Sequence, residues 1–133
     1  MYYRIKLKEL LEARFNPSMP RAQVSPEWEA IRDFHRKPEI TKLRAARIWN
    51  ERPSVTVWDK DRYAFVWTSE QYGPDAVAHE VELVFSVTSN EFAVEVWVQD
   101  DYDTEYVAKK KGRGNPAAGF RLATQLSKKL DDR

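Results

Sequence analysis

The chain has no cysteine among its 133 residues, which excludes a disulfide framework, a thiolate metal site and thiol catalysis. Only two histidines are present, His35 and His79, too few for a zinc site built from imidazole once cysteine is absent. The four glycines form neither GxGxxG nor GxxxxGK[ST], so the standard phosphate loops are missing, and no GxSxG elbow presents a nucleophilic serine. No apolar run approaches the roughly 18 residues that a spanning helix needs, and the start of the chain lacks the apolar stretch of a secretion signal. A soluble, cytoplasmic protein is expected, with no cofactor and no membrane contact.

What is present suits a packed core. The composition is 42% hydrophobic and 13% aromatic, and the length corresponds to a single domain over residues 1–133. The net charge of +1 conceals a sorting of charge along the chain. Residues 1–50 carry 11 Lys and Arg against 6 acids, residues 51–108 carry 3 against 13, and residues 109–133 carry 8 against 2. Such sorting bears on association and steering rather than on fold.

The first half reads as helical. Tyr3, Leu7, Leu10 and Leu11 share one helical side, although Tyr3, Ile5 and Leu7 also alternate as a strand would; the helix is preferred. Pro17 and Pro20 end it. A second helix opens with Ser25 as cap and Pro26 in the first position, and it aligns Trp28, Ile31, Phe34 and His35 on one side. Pro38 breaks that helix, and a third helical stretch is expected from Glu39 to about Asn50.

From Ser54 the period changes to two. Residues 54–58 and 62–68 form a hairpin through Asp59, Lys60 and Asp61, with the register left open by the choice between a two-residue and a three-residue loop. A second hairpin turns at Ser89 and Asn90. A two-residue turn there sets Phe85 opposite Val94 and Leu83 opposite Val96 inside, with Glu82 opposite Trp97 and Val84 opposite Glu95 outside. A short strand near Tyr106 and a basic loop over residues 109–114 follow. Asn115 then caps a last helix with Pro116 in its first position, and Phe120, Leu122, Ala123, Leu126 and Leu130 form its apolar stripe around Gly119. The order predicts an α+β fold, an antiparallel sheet of about four to five strands in two hairpins packed against N-terminal helices and a C-terminal helix.

Chemistry is sparse. Counted from Asp101, an EF-hand loop needs Gly at its sixth position and Glu at its twelfth, where this chain has Tyr106 and Gly112, so no metal site is assigned. Asp75, Glu80, Glu82 and Glu95 resemble a metal-nuclease set only loosely, without a lysine among the strands, and solvated glutamates are the simpler reading. His35 and His79 read as hydrogen-bonded packing residues rather than general bases, and no catalytic residue is assigned.

The leading expectation is a non-enzymatic interaction or regulatory protein, an inhibitor or adaptor. Its acidic outer sheet face, with Glu80, Glu82, Glu95, the aromatic anchor Trp97, and Asp100, Asp101, Asp103 and Glu105, docks on a partner with a basic surface, such as a protein that handles nucleic acid. The alternative is direct nucleic-acid binding through Arg36, Lys37, Lys42, Arg44 and Arg47 with the loop residues Lys109, Lys110, Lys111 and Arg113. The near-zero net charge weighs against that alternative. Complementary charge also permits self-association, or neutralisation within one molecule.

Overall fold

In the computed structural model, which describes residues 5–6, 28–70, 78–99 and 104–131, Pro38 divides two short helices. Helix α1 (Glu29–His35) ends at Arg36, and α2 (Pro38–Arg44) starts with the proline in its first turn, where a missing N–H costs nothing. Ser25 and Pro26 lie outside the described residues, as does most of the expected first helix. Ile5 and Lys6 instead form β1 (Ile5–Lys6), paired with Val57 and Thr56. At these two positions the strand alternation prevails because an antiparallel partner supplies the backbone bonds.

Helix α2 stops six residues before the expected Asn50. Ile48 and Glu51 exchange backbone hydrogen bonds of 3.1 and 3.0 Å around Trp49 and Asn50, both at positive φ. The Trp67 indole N–H donates to the Ala46 carbonyl at 3.0 Å, which ties this non-helical segment to the sheet.

The strands β2 (Ser54–Val57), β3 (Arg62–Glu70), β4 (Ala78–Ser86), β5 (Glu91–Gln99) and β6 (Thr104–Arg113) join β1 in one antiparallel sheet whose spatial order follows the sequence. Helix α3 (Pro116–Asp131) closes the chain. The class is α+β, as expected, with strands added at both edges of the two hairpins. One sheet face carries Tyr63, Phe65, Trp67, Val81, Leu83, Phe85, Val94 and Val96 against Ile31, Phe34, Ile40, Leu43, Leu126 and Leu130 from the helices. Each such fully buried side chain contributes about 1.5–3 kcal/mol. Phe34 joins the layers, with its ring 5.0 Å from Tyr63 and 5.6 Å from Phe85.

Helix α3 starts as its sequence predicts. The Asn115 Oδ1 accepts the Ala118 N–H at 3.0 Å, and Pro116 takes the first position. Gly119 permits close seating on the sheet, since a Cβ there would lie 3.0 Å from Leu83 Cδ1 and 3.1 Å from Phe85 Cζ.

Loop lengths decide the registers. The β2–β3 hairpin uses a three-residue loop closed by Trp58 N–H to Arg62 O at 2.9 Å, placing Val55 opposite Phe65 and Val57 opposite Tyr63. The β4–β5 hairpin departs from the expected two-residue turn. Its loop has four residues, 87–90, so Phe85 faces Phe92, Leu83 faces Val94 and Val81 faces Val96. Asp61 of the neighbouring hairpin holds this loop. Its carbonyl accepts Val87 N–H at 2.8 Å, its Oδ1 accepts Thr88 N–H and Oγ1–H at 3.0 and 2.8 Å, and its Oδ2 accepts the Ser86 hydroxyl at 2.8 Å. A shift by an even number preserves the two faces and changes every partner. Glu82 therefore faces Glu95, and Glu80 faces Trp97.

The basic stretch over residues 109–113, expected as a loop, is strand. It pairs with β5 along its length, with a bulge opposite Val96 and Trp97. Gly112 makes the pairing compact, because the Phe92 ring occupies the space a Cβ would need, at 2.7 Å.

Candidate functional site

The charges of β5 and β6 meet across their ladder. Glu91 faces Arg113, with Oε1 2.7 Å from Nη2, and Glu95 faces Lys109, with Oε1 3.2 Å from Nζ. Lys111 stands between these pairs, opposite Ala93, and Lys110 lies on the helix-covered side of the strand opposite Val94. Both Lys110 and Lys111 are exposed and form no ion pair among the described residues. The acidic and basic segments thus neutralise one another in part within one molecule and leave two free cations on the terminal strand.

The backbone phase of β6 follows from one bond. Gly114 N–H donates to Asn90 O at 3.3 Å, and bonded and non-bonded pairs alternate along an antiparallel ladder. Gly112 and Lys110 therefore bond to β5. The N–H and C=O groups of Lys109, Lys111 and Arg113 point to the open edge, since among the described residues β6 pairs on one side only.

A cleft of about 780 Å³ lies beside Lys111 on the face away from the helices, lined by Arg62, Val84, Ser86, Ala93 and Arg113 among others. Its end wall is the loop held by Asp61. Burial acts to raise the Asp61 pKa, but the hydrogen bonds from Thr88 and Ser86, aided by Arg62, outweigh it and hold the carboxyl below its usual 3.8. Arg62 itself pairs with Asp59 at 3.0 Å and lies 5.9 Å from the Trp58 ring centre.

The expected acidic face is only partly assembled. Glu82 has 0% exposure and so offers no surface to a partner, contrary to its expected outward role. Glu95 retains 17% side-chain exposure and is matched by Lys109, while Glu80 and Trp97 are half-buried and adjacent across the ladder. Asp100, Asp101 and Asp103 lie outside the described residues, and Glu105 sits in β6 opposite Val98.

The expected basic set is likewise divided. Arg36, Lys37, Lys42 and Arg47 are exposed, and the Lys37 ammonium lies 5.4 Å from the Phe34 ring centre. Arg47 donates to Asn50 Oδ1 at 3.2 Å. Arg44 is engaged with His35 Nε2 at 2.9 Å and Thr41 Oγ1 at 3.1 Å. Arg121, Lys128 and Lys129 add exposed cations on α3 that the sequence reading did not assign to a site. For Arg121 and Lys128, a position opposite the apolar stripe was the available signal.

His35 has a packing role. Its Nδ1 lies 2.6 Å from the Tyr63 hydroxyl, and because a guanidinium only donates, Arg44 makes Nε2 the acceptor and leaves the proton on Nδ1. Burial, then Arg44 and Arg36, lower its pKa to about 4. Burial raises the Tyr63 pKa, against a smaller opposing effect of Arg44. His79 is half-buried with its ring 6.0 Å from Trp49. Among the described residues no group of three His, Asp or Glu side chains is placed to hold a metal, and no helix is long and apolar enough to cross a membrane. No family model, no curated protein and no solved structure matches the chain.

Proposed function

We propose that the protein is a non-enzymatic interaction protein that receives an acidic protein partner along β6. One observation carries this reading. Lys110 and Lys111 stay exposed without ion partners among the described residues, while their neighbours Lys109 and Arg113 are matched by Glu95 and Glu91. Free cations on a rigid strand steer an acidic partner and select its orientation. The polarity is the reverse of the leading sequence expectation, because enclosure of Glu82 and pairing of Glu95 leave the acidic hairpin less to offer a basic partner.

Nucleic-acid binding is the second reading, favoured by exposed Arg36, Lys42, Arg121, Lys128 and Lys129 on α1–α3 and the segments around them. Exposed Glu29, Asp33 and Glu39 among those helices, and the net charge of +1, weigh against a phosphate-binding surface.

Anisotropy titrations with labelled polyglutamate and with single- and double-stranded DNA and RNA, at several salt concentrations, separate the two. Saturable binding of polyglutamate that falls about tenfold or more in the K110E/K111E variant is expected. Preferential binding of nucleic acid, reduced instead by K128E/K129E, would transfer the function to the helical side.

A further inference from the structure

We infer that the edge of β6 accepts an extended acidic segment of the partner as one further strand of the sheet. The inference rests on the interaction reading above and adds its mode and the conformation of the ligand. Its basis is the coincidence of free backbone groups and free charge at Lys111, flanked by outward backbone groups at Lys109 and Arg113.

The N–H and C=O groups of Lys109, Lys111 and Arg113 face outward by the alternation that the Gly114 to Asn90 bond establishes. A segment laid along this edge gains main-chain hydrogen bonds at every second residue, as in strand addition generally. Its residue directly opposite Lys111 projects to the same sheet face as Lys111, beside the cleft lined by Val84 and Ala93. An acid at that position meets the free ammonium. Lys109 and Arg113 on either side are already paired, so Lys111 is the selective contact on that face. Lys110 offers a second contact on the opposite face.

Charge also selects the class of occupant. Lysines on a terminal strand oppose indiscriminate pairing. Two copies of β6 paired antiparallel about residues 110 and 111 would set lysine against lysine, which disfavours a second copy. An acidic strand converts the same repulsion into attraction. The bulge near Val96 and Trp97 interrupts regular pairing, so the usable edge runs through residues 108–113.

The test uses the full chain and a fluorescein-labelled peptide of four Thr-Glu repeats, which has one wholly acidic face when extended. Two further peptides carry N-methyl groups on the Glu amides or on the Thr amides alone. Antiparallel strand addition with the acids beside Lys111 makes each such pair exchange both main-chain bonds, and so predicts that methylation of the Glu amides weakens binding about tenfold or more, while methylation of the Thr amides leaves it within about twofold. In the free protein the amides of Lys109, Lys111 and Arg113 should exchange rapidly and those of Lys110 and Gly112 slowly, and peptide binding should protect the first set. Lys111→Gln, which keeps the backbone donor, should weaken binding without changing the exchange pattern of the free protein. Equal binding by both methylated peptides, or no new amide protection, overturns strand addition while an interaction driven by charge still stands. Failure of every acidic peptide to bind overturns both readings. A doubled molecular mass in solution without peptide, lost on Lys111→Pro, places a second copy on the edge and overturns the proposed occupant.

Discussion

Lys109 Nζ lies 3.2 Å from Glu95 Oε1, and this pair joins the most acidic segment of the chain to the segment that follows it, rich in lysine. The Glu91–Arg113 pair repeats the relationship four residues away along the same ladder. Charge sorting in the sequence therefore records strand pairing as well as surface character. Reversing one member tests this. Glu95→Lys should destabilise the fold by about 1 kcal/mol, and adding Lys109→Glu should restore most of the loss. Urea denaturation of the two single variants and the double variant measures the coupling. An additive double variant would show that the pair contributes nothing to stability.

Asp61 links two hairpins through its carboxylate and its carbonyl, so Asp61→Ala should loosen the 87–90 loop. The expected loss is about 2 kcal/mol, for hydrogen bonds to a charged group at a partly exposed site. The pH dependence has a definite sign. Hydrogen bonds from Thr88 and Ser86 hold the folded pKa below 3.8 despite the opposing effect of burial, so this stability is present above 3.8 and lost as pH falls through the lower folded value. Asp61→Asn should flatten the stability profile in that acid range. Thermal melts stepped downward from about pH 5 read the difference.

Much of the fold was legible because the signals were local. Pro38 at a helix start, Asn115 followed by Pro116, and Gly119 within an apolar stripe each act through neighbouring backbone or through the absence of a side chain, and each takes its expected place. The β4–β5 partners were not legible, because the loop length depends on Asp61, which lies 25 residues from Ser86 in sequence. The short strand expected near Tyr106 belongs to β6, but its continuation through residues 109–113 was hidden for a similar reason. Lysine and glycine have low strand propensity, and the acids of β5 and the Phe92 ring beneath Gly112 support the pairing from another strand. Alternation correctly placed Glu82 on the face away from the helices, but face does not determine exposure, and Glu82 is enclosed.

That distinction gives a sharp contrast between neighbours. Glu82→Lys places a longer side chain of opposite charge at a position with 0% exposure and should prevent cooperative folding. Glu80→Lys, two residues away on the same face and half-buried, should fold and melt within a few degrees of the parent. Circular dichroism melts of the two variants decide the matter. A cooperative, parent-like melt for Glu82→Lys would show that this site tolerates a solvated charge.

The contact between His35 and Tyr63 predicts a second, separate pH window. Burial, Arg44 and Arg36 lower the His35 pKa from 6.5 to about 4, so between those values the unfolded chain binds a proton that the folded chain refuses. Stability from this group is full above 6.5 and declines as pH falls toward 4. Because the imidazole is only half-buried, solvent screening reduces the effect to about 1–2 kcal/mol. His35→Gln removes the titration and preserves a side chain able to accept from Arg44 and donate to Tyr63. Its denaturation midpoint should be lower than that of the parent near pH 7 and should change little on acidification to about pH 4.5, where the parent approaches it. Parallel profiles for the two proteins would show that protonated His35 is accommodated in the fold, and that the Arg44–His35–Tyr63 chain does not exclude a proton.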